Sequence, residues 1–210
     1  MNEPSRNIRI LLVDDHFLIR VGLAFSLEGE PDLKVVAQAG TGEEAITAFR
    51  EHRPDVVLMD GRLPDIHGVE AAQRILAEFP DARIAMISIE ETEEDIHRAI
   101  KAGLMGYLPK NSDRPLLLEA VRALSAGNVF LPPEIAERLK TRQRREPLNE
   151  RDLEVLQMVV KGMANKQIAD ALNVAEITIK VRVSRILAKL GVPDRTRAAM
   201  LALERGLVKL

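Results

Sequence analysis

Val56-Val57-Leu58-Met59-Asp60-Gly61-Arg62-Leu63-Pro64-Asp65-Ile66-His67-Gly68 is the stretch whose reading decides the fold. Four apolar residues run into a carboxylate, and a turn-rich segment follows. A short apolar run bounded by turn residues reads as a strand buried on both faces. Asp60 then stands at the carboxyl end of that strand, where open α/β sheets place their chemistry. Ile8 to Val13 is a second run of this kind, and it ends in Asp14-Asp15. Two strand ends with three carboxylates predict a shared acidic pocket.

Working outward, residues 8–13, 33–38, 55–60, 83–88 and 105–108 are short apolar or β-branched runs, each followed by a longer segment with helical spacing. That alternation predicts an α/β fold, a doubly wound five-stranded parallel sheet with helices on both faces. Thr41-Gly42-Glu43-Glu44 has capping-box spacing ahead of Ala45, Ile46 and Phe49. Gly103 and Gly127 stand where helices should stop.

A chain of 210 residues suits two modest domains. It has no cysteine, which excludes disulfides and thiolate metal sites. No apolar run is long enough to cross a bilayer, and the first residues lack the apolar core of a signal peptide, so a cytoplasmic protein with no membrane partner is expected. The net charge of -2 conceals a division. Residues 144–210 carry 13 Lys+Arg against 8 Asp+Glu, a net of +5, which leaves -7 for residues 1–143. An acidic front and a basic back predict different partners, nucleic acid for the second.

Past Gly127 the chain changes character. Val129-Phe130-Leu131-Pro132-Pro133 interrupts regular structure, and residues 138–146 are mostly charged. Residues 129–147 read as a linker with one short helix beginning after Pro133. Beyond it come helices only: Leu153, Leu156, Val159 and Val160 share a helical period, as do Ile168, Ala169 and Leu172, and then Ile179, Val183, Ile186, Leu187 and Leu190. Gly162, Asn173 and Gly191 punctuate them, and a fourth helix over roughly 194–205 follows Asp194 as its N-cap.

The pocket's chemistry follows from its residue types. Mg²⁺ takes oxygen ligands and is usually held by one or two carboxylates with water and phosphate, and Asp15 and Asp60 offer them. Ser88 ends the fourth run and Lys110 follows the fifth, placing a hydroxyl and an ammonium at the same rim. A phosphoryl group on Asp60 needs such a hydrogen bond and counter-charge. Taken singly, each has a plainer reading: Asp14, Asp15 or Ser88 as a helix cap, Lys110 as a solvated surface charge, Tyr107 as a half-buried strand residue.

Asp14, Asp15, Asp60, Pro64, Gly68, Ser88, Tyr107 and Lys110 together resemble the receiver domain of bacterial two-component response regulators, a flavodoxin-like fold, over residues 1–128. The resemblance implies that Asp60 is the phosphoacceptor, charged by a phosphohistidine on a sensor histidine kinase. It implies Mg²⁺ (or Mn²⁺) held by Asp15, Asp60 and the backbone carbonyl of Arg62, with Asp14 acting through water. Ser88 and Tyr107 would form the switch pair. Two positions depart from the pattern. Asn111 follows Lys110 where the family commonly has a Pro in a cis peptide; without Pro, a cis bond costs about 2.5 to 4 kcal/mol, so a trans loop is expected. Ile89 stands where a small residue is usual and is expected to narrow access to Asp60. Arg62 and Glu90 lie two residues after Asp60 and Ser88, and an ion pair between them would hinder the hydrolytic water. Arg62, Ile89 and Glu90 are therefore the expected rate-modulating residues.

The helix over 176–190 has an apolar arc and, opposite it, Thr178, Val181, Ser184, Arg185 and Ala188 flanked by Lys180, Arg182 and Lys189. A major groove accepts that profile: Arg and Lys reach guanine acceptors or phosphates, and Val181 can meet a thymine methyl. An ordinary solvated amphipathic helix is the plain alternative. With Asn165-Lys166-Gln167-Ile168-Ala169 and the turn Leu172-Asn173-Val174 before it, the segment makes a helix-turn-helix. Leu148 to Leu156, Lys189-Leu190-Gly191-Val192 and Arg195-Thr196 complete a resemblance to the all-α, four-helix LuxR-type module over 148–210, so that the whole chain resembles the NarL/FixJ group. Lys166, Thr178, Lys180, Val181, Arg182, Ser184, Arg185 and Lys189 are the expected DNA contacts. Ala164 and Ala175 replace the family's Ser caps; Asn165 is expected to cap the first of these helices, and the second has no evident substitute. Arg182 replaces a frequent His. The last helix, with Ala198, Leu201, Ala202 and Leu207, is expected to pair with a twin on inverted DNA half-sites.

The expected function is thus a DNA-binding transcription factor switched by phosphorylation of Asp60, with promoter DNA and a homodimer partner, and RNA polymerase as a further candidate. Only slow self-phosphorylation and self-dephosphorylation are expected as enzymatic activity. The alternatives are a phosphorylation-independent DNA binder and a Mg²⁺-dependent phosphoaspartyl hydrolase on the same sheet.

Overall fold

The computed structural model describes residues 7–89, 92–143 and 147–208. Five strands, β1 (Ile8–Val13), β2 (Leu33–Ala39), β3 (Val56–Asp60), β4 (Ile84–Ser88) and β5 (Gly106–Pro109), pair in parallel in the order β2-β1-β3-β4-β5. Between them run α1 (Phe17–Glu28), α2 (Gly42–His52), α3 (Gly68–Glu78) and α4 (Glu93–Lys101), with α5 (Arg114–Ser125) after β5. The doubly wound sheet expected from the alternating pattern forms, with strand ends within one residue of those expected.

Strand order fixes where chemistry can occur. β1 has β2 on one side and β3 on the other, so the chain winds one way after β1 and the opposite way after β3. The connections leaving the carboxyl ends of these two neighbours diverge and open a crevice, the topological switch point of such folds. Asp14 and Asp60 stand at its edge. Beneath them the core is apolar: Ile10, Leu12, Leu27, Leu58, Ile87, Leu108, Val121 and Leu124 form one buried cluster under α1 and α5. The outer face of α1 is different, with Phe17, Leu18, Val21 and Phe25 all exposed.

The helix signals are partly realised as read. Thr41 Oγ1 accepts from Glu44 N–H at 3.1 Å, but the Glu44 carboxylate returns to Gly40 N–H rather than to Thr41. The connector also departs from expectation. Residues 129–131 do not simply interrupt structure: Phe130 bridges Gly106 in parallel, donating to Met105 O at 2.8 Å and accepting from Tyr107 N–H at 3.3 Å. β5 is otherwise an edge strand, and a row of unpaired backbone groups there takes whatever chain is nearest. Pro132 and Pro133 then end the pairing, and α6 (Pro133–Gln143) begins at the expected proline.

The chain divides into two compact units, 1–91 with 96–136 and 137–210 with 92–95. The second contains α7 (Glu150–Val160), α8 (Asn165–Leu172), α9 (Glu176–Leu190) and α10 (Arg195–Glu204) around Val155, Leu156, Ile168, Ile179, Ile186 and Ala202. Asn173 and Gly191 end α8 and α9 with left-handed backbone, φ 51° and 68°, which turns the chain sharply enough to pack each helix on the next. Asp194 caps α10 through Arg197 N–H, as expected. Asn165 does not cap α8. It is the first helical residue, and its Oδ1 lies 3.4 Å from the Arg195 guanidinium; the orphan Ala164 N–H donates instead to Gln167 Oε1 at 2.7 Å. No helix among the described residues is long and apolar enough to cross a membrane.

Candidate functional site

Three carboxylates and one ammonium meet at the switch point. Asp14 and Asp60 are 2% and 5% exposed, and Lys110 Nζ lies 2.6 Å from Asp14 Oδ2 and 2.7 Å from Asp60 Oδ2. Burial pushes the Asp60 carboxyl above the usual carboxylate range; Lys110 and the Arg62 N–H, at 3.3 Å from Oδ1, oppose that, and the neighbouring Asp14 charge adds to it. Burial alone would lower Lys110, but its two carboxylate partners outweigh this and raise it above an ordinary lysine. The pocket therefore holds more negative than positive charge in a poorly hydrated place, and an added cation stabilises it.

The donor set suits such a cation. Ligand atoms of Asp14, Asp15, His16 and Asp60 all lie within 4.8 Å of one another among the described residues. Asp15 is exposed, with His16 Nδ1 2.6 Å from its Oδ1 and 3.3 Å from Asp14 Oδ1. Carboxylate oxygens dominate, as hard divalent cations require. His16 was not foreseen, although it adjoins the acidic pair.

The loop behind Asp60 is fixed from two directions. A β-carbon on Gly68 would come within 1.9 Å of Asp60 O, so only glycine lets α3 start there, and Gly68 N–H donates to Gly61 O at 3.0 Å. Asp65 reaches across to α2, its two oxygens accepting from Gly42 N–H at 2.8 Å and Glu43 N–H at 3.0 Å. Those N–H groups are unsatisfied ends of a helix with a positive dipole, and they hold the Asp65 carboxyl down to about 2. The sequence places Asp65 in the turn but does not connect it to a residue 23 positions earlier.

Ser88 ends β4 half-buried, with its Oγ 3.8 Å from where a Gly61 β-carbon would stand. Tyr107 is buried in β5 rather than half-buried. Lys110 N–H donates to Ser88 O at 2.9 Å, and all peptide bonds among the described residues are trans, including the one before Asn111. Ile89 is 75% exposed and Arg62 is exposed; Glu90 lies outside the described residues, and with it the Arg62–Glu90 pair.

In the helical unit the expected DNA contacts divide into two sets. Lys166, Thr178, Lys180, Val181 and Ser184 are exposed. Arg182, Arg185 and Lys189 converge on Asp152, which is fully buried, although the Arg185 side chain stays 49% exposed: Arg182 Nη1 and Arg185 Nη2 lie 3.0 and 2.8 Å from Oδ1, and Lys189 Nζ lies 3.4 Å from Oδ2 and 3.1 Å from Pro147 O. Asp152 also completes a capping box with Asn149 at the start of α7. Burial would raise its carboxyl, but Arg185, the Asn149 N–H and Lys189 outweigh that and lower it. Asp152 lies inside the Leu148 to Leu156 motif, yet its role depends on residues 30 to 37 positions away.

The family described as "Response regulator receiver domain" matches residues 10–122, and "Bacterial regulatory proteins, luxR family" matches 146–202. The chain belongs to the response regulators of the LuxR family. Among its relatives, the transcriptional regulatory protein DegU of Brevibacillus brevis is 34% identical over all of both chains. VraR of Staphylococcus aureus is 34% identical over 96% of this chain and 99% of its own. The response regulator RcsB of Salmonella typhimurium, at 23% identity, shares the fold with a TM-score of 0.78 over 94% of this chain and 99% of its own. This response regulator is thus a two-component protein with a receiver and a LuxR-type DNA-binding unit, and its family is one of transcriptional regulators rather than classical enzymes.

Proposed function

We propose that this protein is a promoter-binding transcription factor switched by a phosphoryl group on Asp60. A deprotonated Asp60 oxygen attacks the phosphorus of a sensor kinase's phosphohistidine; the new P–O bond forms as the P–N bond breaks, and the imidazole leaves with the bonding pair and takes up a proton. Mg²⁺ bound by Asp15, Asp60 and the Arg62 carbonyl, with Asp14 acting through water, would neutralise charge on the transferring group. Lys110 holds the counter-charge on the other side, and Ser88 donates its hydroxyl to the phosphoryl oxygens. Displacing Lys110 and Ser88 toward that group alters β4 and β5 at once, because Lys110 N–H is bonded to Ser88 O; Tyr107 lies three residues upstream on β5. The exposed apolar face of α1, which begins next to His16, supports a protein partner at the pocket rim.

The observation that carries this reading is the pairing of one buried ammonium with two buried carboxylates at the switch point. DNA affinity of the full chain, with and without beryllofluoride and Mg²⁺, tests it. Wild type should tighten its hold on DNA when beryllofluoride is present, and Asp60→Asn should not respond; the same affinity in every arm overturns the switch. Arg62 and Ile89 at the rim, with Glu90, set phosphoryl lifetime in this reading. On DNA, two copies paired through α10 meet inverted half-sites.

A further inference from the structure

We infer that α9 selects its DNA in part by contacting thymine methyl groups, using Ile177, Val181 and Val174. The inference rests on the DNA-binding reading and specifies what that surface recognises.

Ile177 and Val181 are 64% and 63% exposed and stand four residues apart, on one face of the helix. Val174, in the turn before α9, is 42% exposed. Ile177, Thr178, Val181, Arg182 and Arg185 line a single shallow depression, and Val174 and Thr178 line the next. Large β-branched side chains left in water beside cations need a partner that is apolar yet embedded in negative charge. A duplex groove offers that combination: the thymine C5 methyl is the apolar group on the major-groove base edges, and phosphates flank it.

Most polar readers on the same helix are wholly or partly engaged elsewhere. Guanine is ordinarily read by a bidentate Arg or Lys and adenine by Asn or Gln. α9 has no Asn or Gln. Arg182 and Arg185 each give an N–H to Asp152, a buried carboxylate that Lys189 also faces as it turns to Pro147; the Arg182 side chain is 20% exposed, whereas that of Arg185 is 49% exposed and keeps part of its guanidinium toward solvent. Ser184 Oγ donates back to Lys180 O at 3.1 Å. Lys180 remains outward for phosphate. The base edges therefore meet hydrocarbon at Ile177 and Val181, with Thr178 and the half-exposed Arg185 beside it. Four residues of helix rise about 6 Å and successive base pairs about 3.4 Å, so Ile177 and Val181 reach methyls on adjacent or next-adjacent steps.

The test uses the full-length protein with beryllofluoride and Mg²⁺. Duplexes are selected from a random pool, and each thymine of the winning half-site is then replaced by uracil, which removes only the methyl. We expect neighbouring thymines in the half-site and a loss of about three- to fourfold in affinity for each contacted methyl removed. 5-Methylcytosine in place of cytosine at a contacted step should recover part of the loss. Ile177→Ala and Val181→Ala, both exposed and tolerable to the fold, should each become indifferent to uracil at one position. Uracil duplexes that bind like thymine duplexes overturn the inference. So do alanine variants that keep full methyl sensitivity, or that change only self-association, which would make the patch a contact with a second copy. A protein that binds no duplex at all removes the DNA-binding reading itself, a distinguishable failure.

Discussion

Gly68 stands so close to the Asp60 carbonyl that a β-carbon on it would lie 1.9 Å from the oxygen. The atom in the way is backbone of the strand that carries the acceptor carboxylate, so no side-chain rotation relieves the clash. Gly68→Ala should cost about 1–3 kcal/mol in urea unfolding, the range of a forced overpacking, and should slow phosphoryl uptake from acetyl phosphate by displacing Asp60. Gly22 is the control. It lies in α1, where an added methyl would meet nothing within 4 Å, and Gly22→Ala should stabilise the protein by about 0.5–1 kcal/mol through helix propensity. Equal effects at the two sites would contradict this account.

Lys110 and Asp60 should respond in opposite directions to removal. Lys110→Met leaves Asp14 and Asp60 buried against each other without a counter-charge, and breaking a buried pair typically costs about 3–5 kcal/mol. Asp60→Asn leaves Asp14 paired with Lys110 and removes a like-charge repulsion. Because the native state raises the Asp60 carboxyl, ionising it weakens the fold as pH climbs above the carboxylate range, so the Asn variant should be as stable as wild type or more so at pH 7. Denaturation midpoints of the two variants and of the double variant decide the matter.

Asp65 makes a contribution that depends on acid pH. Its carboxyl is held at about 2 against an ordinary 3.8 by the N–H groups of Gly42 and Glu43. A depressed acid stabilises the fold fully above its unfolded pKa and loses that contribution as pH falls toward its folded value. The stability gap between wild type and Asp65→Ala should therefore be constant above a pH of about 4.5 and close between about 4 and 2. A gap that persists unchanged to the bottom of that range would show that Asp65 acts by packing alone.

Legibility followed the range of the interactions. The strand ends carrying Asp14, Asp15, Asp60, Ser88 and Lys110 could be found because buried parallel strands are short apolar runs, and the sheet order then brings their ends together. Tyr107 lies on its strand as expected, but an edge strand gives no sign of the chain that will pair with it, and the backbone of Phe130 takes that place beside Gly106 and Tyr107. Asp65 and Asp152 both lie inside recognisable motifs, yet their partners across the fold are 22 or more residues away, beyond what a periodicity can reveal. Asn165 had the residue type of a cap and lost the role because it falls inside the helix, where Gln167, two residues on, reaches back to the orphan N–H with a longer side chain.

The Phe130 bridge also locates the seam between modules. Receivers and output units of such proteins invite exchange, and Gly127, with its left-handed backbone after α5, looks like the natural place to cut. A receiver severed there would leave behind the residue that closes the open side of β5 at Gly106, next to Tyr107 and on the strand that leads to Lys110. The excised piece would present a bare strand edge next to its own switch and be prone to pair with a neighbour. A splice placed after Gln143 carries the covering residue and α6 along, and a chimera built there inherits a finished sheet.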